Sequence, residues 1–200
     1  MRWACLIFGL FLLLGCASEG PLGPVSNPQT AWKMHQHELK QIQEFSLDAD
    51  LGIIQEGSGE SLGVHWEHTP DQDVFIFSGP LGMDLGELKE NASGVVLKDS
   101  QGVFRAQTPE LLLQEVFGWS LPVEGLRNWI LGLPDESSSE EMSLNDSGYL
   151  KNLDTQAWQI QYLSYLPYGS YALPQKIRLT QGDLRVLIFI RNWQANRIDL

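Results

Sequence analysis

Residues 47–66 read LDADLGIIQEGSGESLGVHW, and this stretch decides the fold. Leu47, Ala49, Leu51 and Ile53 alternate with polar or small residues, and Leu62, Val64 and Trp66 resume that period after a Gly- and Ser-rich break. A period of two puts one set of side chains on one face of an extended strand, so the stretch predicts two half-buried strands. The texture continues outward through Val74–Phe77, Leu85–Leu88, Val95–Leu97 and Val103-Phe104, short runs mostly punctuated by Gly or Asp. Further strands are expected at Ala157–Tyr162, Gln175–Thr180 and Leu184–Trp193. Together they predict an antiparallel meander in a mainly β, α+β domain.

Helices interrupt the strands at three places. Asn27-Pro28 has the form of an N-cap followed by proline, and Trp32, Leu39, Ile42 and Phe45 predict one amphipathic helix over Thr30–Phe45. Thr108-Pro109-Glu110 starts a second helix that stops at Gly118, and Leu121-Pro122 starts a third over Val123–Leu131, ended by Gly132 and Pro134. Residues Asp135–Ser147, acidic and serine-rich, predict a solvated loop. In the last strand Leu187 and Phe189 share a face with Arg185 and Arg191, which predicts apolar contact on both faces of the sheet. A sheet covered by helices around an apolar space meets that expectation, and so does a packed sandwich.

The 200 residues carry 13 Lys+Arg against 25 Asp+Glu, a net charge of −12. Such a chain repels phosphate backbones, so no nucleic-acid partner is expected. Adhesion to anionic lipid through basic patches is disfavoured for the same reason, and membrane attachment has to be apolar or covalent. The two cysteines are Cys5 and Cys16, leaving the rest of the chain without disulfide or thiolate-metal chemistry. Met1-Arg2 precedes an apolar run from Ala4 to Leu14, too short to span a bilayer and of the length of a signal-peptide core.

No enzyme is expected. Gly59-Glu60-Ser61-Leu62-Gly63 has the G-x-S-x-G spacing of a nucleophile elbow, but VHWEH after it reads as strand where an elbow needs a helix. The only later histidines, His65 and His68, lie too near in sequence for a triad spanning the domain. Neither His35-x-His37 nor His65-x-x-His68 has metal-ligand spacing on its expected element, so these histidines are read as surface residues, with no metal and no cofactor. Six tryptophans, Trp32, Trp66, Trp119, Trp129, Trp158 and Trp193, follow the apolar leader. Core filling and an aromatic-lined cavity for an apolar ligand are both open to them.

Three further features carry a resemblance. Leu13-Leu14-Gly15-Cys16 resembles a bacterial lipobox, Ser78-Gly79-Pro80-Leu81-Gly82-Met83 forms a turn with a leucine at its tip, and residues 121–134 read LPVEGLRNWILGLP. With Trp158–Tyr162, Leu173–Ile177 and Ile190–Trp193, they resemble the LolB family from the lipobox to about Trp193. The turn departs from the family in having Gly79 where Asn is expected.

The resemblance implies an open half-barrel, a single curved antiparallel sheet capped by helices over a hydrophobic cavity. It implies a signal peptide over 1–15, cleavage before a lipidated Cys16, a flexible tether over 16–29 and a lipid-binding domain over 30–200. Ala17 after the lipidated cysteine implies sorting to the outer membrane, periplasmic face. The implied function is to accept lipoproteins from the periplasmic carrier LolA and insert them into that membrane, as a monomer; the alternative is a lipid-anchored protein holding another apolar ligand or acting as a scaffold. Leu81, flanked by Pro80 and Gly82, maps onto the family's membrane-insertion loop. Trp66, Phe75, Phe77, Trp119, Trp129 and Trp158 are candidates to line the acyl cavity, and Arg127 is either structural or functional. The acidic surface suits a basic rim on the carrier. An acyl chain of about fifteen methylenes costs about 12 kcal/mol to expose, at about 0.8 kcal/mol each, so transfer through water needs such a cavity.

Overall fold

The computed structural model describes residues 22–135, 141–169 and 171–197. The apolar leader and Cys16 lie outside the described residues. The elements are α1 (Pro28–Leu39), β1 (Ile42–Gln55), β2 (Ser58–Thr69), β3 (Gln72–Ser78), β4 (Asp84–Asn91), β5 (Gly94–Lys98), β6 (Val103–Ala106), α2 (Pro109–Phe117), α3 (Val123–Trp129), β7 (Glu141–Leu144), β8 (Leu150–Asp154), β9 (Gln159–Tyr168), β10 (Tyr171–Gln181) and β11 (Leu184–Arg197). A 3-10 turn, Pro80–Gly82, joins β3 to β4.

All these strands form one 11-stranded antiparallel sheet in the order β6-β5-β4-β3-β2-β1-β11-β10-β9-β8-β7. The first and last strands pair at its centre, and a meander runs from each to an edge. Because β6 and β7 are the two ends of the order, the sheet is open and not a closed barrel. Register shifts in the β1–β11, β3–β4 and β9–β10 pairs bend and twist it.

The β1–β2 turn shows how local sequence sets the register. Glu56 and Gly57 both have positive φ, 51° and 80°, the conformation a two-residue hairpin loop requires. It aligns Leu47 with Trp66, Ala49 with Val64 and Leu51 with Leu62, so the alternating apolar positions of the opening stretch fall on one face, while Ile54 is exposed on the other. Against that face lie α2 and α3. Thr108 caps α2 through Leu111 N, Pro109 occupies its first turn, and Gly118 ends it in the left-handed conformation (φ 80°).

Three expectations need correcting. The first helix ends at Leu39, and Ile42 and Phe45 belong to β1. Their spacing satisfies both periods, and the ladder to β11, which pairs Phe45 with Ala195, favours the strand. The segment read as a solvated loop contains β7, with β8 following at Leu150, because Met142, Leu144 and Leu153 supply too short a pattern to stand out among carboxylates. In β11 the two faces are unequally covered among the described residues: Phe189 is exposed and Leu187 half-buried, while Val186, Ile188 and Ile190 are buried. Ahead of α1, Val25 N donates to Asp146 O, and Ser147 Oγ donates to Leu22 O.

Candidate functional site: an apolar cavity and a protruding loop

Between the sheet and the two helices lies a cavity of about 50 Å³. Leu47, Ala49 and Leu51 of β1, Val64 and Trp66 of β2, Phe75 and Phe77 of β3, Leu88 and Ile188 form its sheet side. Leu113 of α2, Trp119, Leu121, Val123, Leu126 and Ile130 close it. Both tryptophans turn their indole N–H away from the void, which leaves the lining apolar. Trp66 Nε1 donates to Asp73 Oδ1 at 2.7 Å, and Trp119 Nε1 donates to Glu60 Oε1.

Four of the six aromatic candidates, Trp66, Phe75, Phe77 and Trp119, therefore border the void. Trp129 and Trp158 do not; they are buried against each other with ring centroids 6.3 Å apart. The bordering rings continue into an aromatic row, Trp66–Phe75 at 4.8 Å, Phe75–Phe77 at 6.2 Å, Phe77–Phe117 at 5.2 Å and Phe117–Trp119 at 5.5 Å. Three of these pairs are stacked and Phe77–Phe117 meets edge to face, contacts that hold side chains in place beyond what their burial contributes.

Beside the cavity sits a charged cluster on Asp73, which is 1% exposed. Its Oδ1 accepts from Trp66 Nε1 and from His68 Nδ1 at 2.8 Å, and its Oδ2 from Arg127 Nε at 2.8 Å. Arg127 also reaches Glu90 Oε2 at 2.8 Å. Burial pushes the Asp73 carboxyl up, but hydrogen bonds from His68 and Trp66, with the charge of Arg127, outweigh it and hold the group below the usual carboxylate value. Glu90 is raised, mainly by burial, against the pull of Arg127. Arg127 thus pairs a helix with the sheet.

Asp73 is the residue that sequence reading passed over, and His68 is one it read as a surface residue. Both have the inward parity of their strands, Asp73 with Phe75 and Phe77, His68 with Trp66 and Val64, and that parity was the available signal. His68 is accordingly no surface residue: its ring lies 4.9 Å from Phe45. His65 faces outward, where a hydrogen bond to Asp48 and a second to Glu67 raise its pKa despite partial burial. Ser61 lies within β2, away from any strand-to-helix turn. Among the described residues no group of three His, Cys, Asp or Glu side chains is placed to hold a metal ion.

At one end of β3 the chain folds into a tight projection. Gly79 N donates to Met83 O at 2.7 Å and Gly82 N to Gly79 O at 3.1 Å. Leu81 has φ 63°, a left-handed conformation unusual for a branched side chain, and Gly82 follows at φ 77°. The result is a fully exposed Leu81 on a loop closed by backbone hydrogen bonds, with Met83 exposed beside it. A Cβ at position 79 would lie 3.3 Å from Met83 Cε, the free end of an exposed flexible side chain, and 3.4 Å from Leu85 Cδ2, so a side chain fits there once Met83 shifts slightly.

Residues 43–193 match the family model described as outer membrane lipoprotein LolB. The chain is 34% identical over 199 residues to the outer-membrane lipoprotein LolB of Pseudomonas putida (strain GB-1), covering 97% of each chain. Against the protein of the same name from Pseudomonas fluorescens (strain Pf0-1) the identity is 35% over 202 residues, 99% of this chain and 98% of the other. Among solved structures, the LolA superfamily protein NE2245 of Nitrosomonas europaea has a similar fold, with a TM-score of 0.51 at 7% identity, covering 83% of this chain and 94% of that one. A DUF1329 family protein from Desulfovibrio piger superposes with a TM-score of 0.54 at 11% identity, over 88% and 95% of the two chains.

Proposed function

The chain belongs to the outer membrane lipoprotein LolB family, and we propose that it receives lipoproteins from a LolA-type carrier and inserts them into the outer membrane. It is a lipid-anchored outer-membrane protein of lipoprotein trafficking. In the proposed scheme residues 1–15 are the signal peptide and Cys16 carries the lipid. Residues 16–29 link that lipid to the domain.

The observation that carries the proposal is the cavity, whose walls present hydrocarbon while two indole N–H groups are satisfied by carboxylates outside it. An acyl chain entering it keeps its methylenes out of water and meets no unpaired polar group. Leu81 supplies the second part of the task. A leucine held in water forgoes about 1.5–3 kcal/mol of burial, which lipid at the membrane surface would restore. No nucleotide is required where each transfer leads to better burial of the chains.

A photoreactive side chain at Val64, in the cavity wall, tests the reading directly. It should crosslink to the acyl chains of a bound client lipoprotein, whereas the same group at Ile76, exposed on the outer face, should not. Equal crosslinking from both positions would place the acyl chains elsewhere.

A further inference from the structure

We propose that Arg127 and Asp73 form a latch that sets how fast α3 lifts from the sheet to admit an acyl chain; this rests on the acyl-cavity reading above. The starting point is a mismatch of size. The void measures about 50 Å³, room for a few water-sized groups, whereas pockets for small organic ligands run to about 300–1,000 Å³. A long acyl chain therefore enters only if a wall moves. The sheet side is a continuous hydrogen-bonded ladder from β4 to β11, and moving it would break many backbone bonds. The helical side is joined to the sheet chiefly by apolar packing, which yields more readily.

The polar ties of α3 to the sheet are unequal. At its C-terminal end Tyr162 Oη donates to Trp129 O at 3.0 Å, and Trp129 packs on Trp158. Gly132 follows at φ 80°, where a side chain would be strained and a Cβ would lie 3.3 Å from Pro174. These contacts suit a pivot. On the other side Arg127 reaches β3 and β4 through Asp73 and Glu90, and these are ionic bonds that must part before Val123 and Leu126 can leave the cavity.

Asp73 is built for repeated release. When Arg127 departs, the carboxylate keeps two donors from β2, His68 Nδ1 and Trp66 Nε1, and the departing helix uncovers it. Arg127 in turn is 31% exposed already, so its guanidinium has a way into water. Trp66 belongs both to the cavity wall and to this cluster, so an entering chain that presses on its ring disturbs the bonds that hold the helix down.

The test uses residues 16–200 with Cys16→Ser, which contain every described helix and strand and every described core residue. Association of cis-parinaric acid, a fluorescent long-chain fatty acid, is followed by stopped flow, and exchange of the amides over Val123–Trp129 by hydrogen–deuterium exchange. Arg127→Gln should raise the association rate about tenfold or more, the range set by a charge-assisted hydrogen bond, and should speed exchange in α3 while leaving β1 and β11 protected. Arg127→Lys, which keeps the charge but not the fork, should fall between. Glu90→Gln, which loosens only the outer contact, should give a smaller rise and serves if Arg127→Gln does not fold. A purely structural role would lower affinity without faster association. Unchanged association in folded Arg127→Gln, or in Glu90→Gln where the former is unfolded, would overturn the latch.

Discussion

Filling the cavity should separate folding from lipid binding, and Ala49→Leu is the substitution that does so. Ala49 is fully buried on β1, borders the void, and pairs with Val64 of β2 and Ile190 of β11. Leucine adds three carbons to a space of about 50 Å³. Burying them is worth about 2.4 kcal/mol at about 0.8 kcal/mol each, and forcing them into a packed layer costs about 1–3 kcal/mol. Stability should therefore change by no more than about 1.5 kcal/mol in either direction, as read from the midpoint of urea unfolding. The same three carbons exclude a comparable length of acyl chain, so affinity for cis-parinaric acid should fall about fiftyfold. A folded Ala49→Leu protein that binds the fatty acid within twofold of the parent would refute the assignment of this void as the acyl site.

Other perturbations bear on the loop, the lid and the charged cluster. Leu81→Glu should leave the stability read from urea unfolding within about 0.5 kcal/mol of the parent, because the side chain is fully exposed, and leave fatty-acid binding intact while reducing insertion of a client into liposomes. Gly125→Ala puts a Cβ 2.9–3.2 Å from the Trp129 ring and should destabilise by about 1–3 kcal/mol, against the gain in helix propensity that alanine ordinarily brings; a more stable variant would show that the ring can move aside. Asp73, held below the usual carboxylate value, contributes stability that is present above pH 3.8 and lost as pH falls through its folded value. Asp73→Asn should thus lower stability at neutral pH and flatten the acid side of the pH–stability curve; Glu90, raised above 4.5, works in the opposite sense and makes the single Asp73 change the cleaner probe.

Much of the architecture was legible because it rests on period and punctuation. The alternation of Leu47–Ile53 and Leu62–Trp66 and the caps at Thr108, Pro109 and Gly118 are local signals, and the structure places strands and a helix there. Local reading failed where two periods coincide or where pairing decides. Ile42 and Phe45 fit a helical face, yet β11 claims them. Met142 and Leu144 become a strand only because β8 lies alongside. Phe189 was expected to be covered, but it is exposed, and Leu187 on the same face is only half-buried.

The site divides in the same way. The rigid projection of Leu81 follows from Gly79, Pro80 and Gly82 within a few residues. The cavity wall joins strands and helices far apart in sequence, so tryptophan content alone did not separate Trp66 and Trp119, at the void, from Trp129 and Trp158, beside it. Asp73 sits at the start of a strand, where an acidic residue ordinarily signals a turn; Arg127, fifty-four positions away, is what makes it a buried anchor.

The most direct test of the account is a transfer measurement. Residues 16–200 with Cys16→Ser are mixed with a LolA-type carrier loaded with a labelled lipoprotein, without nucleotide, and the distribution of the label between the two proteins is followed. The account predicts that the label moves to this domain, and that Ala49→Leu prevents the movement. A label that stays on an active carrier in the presence of the folded domain would contradict it.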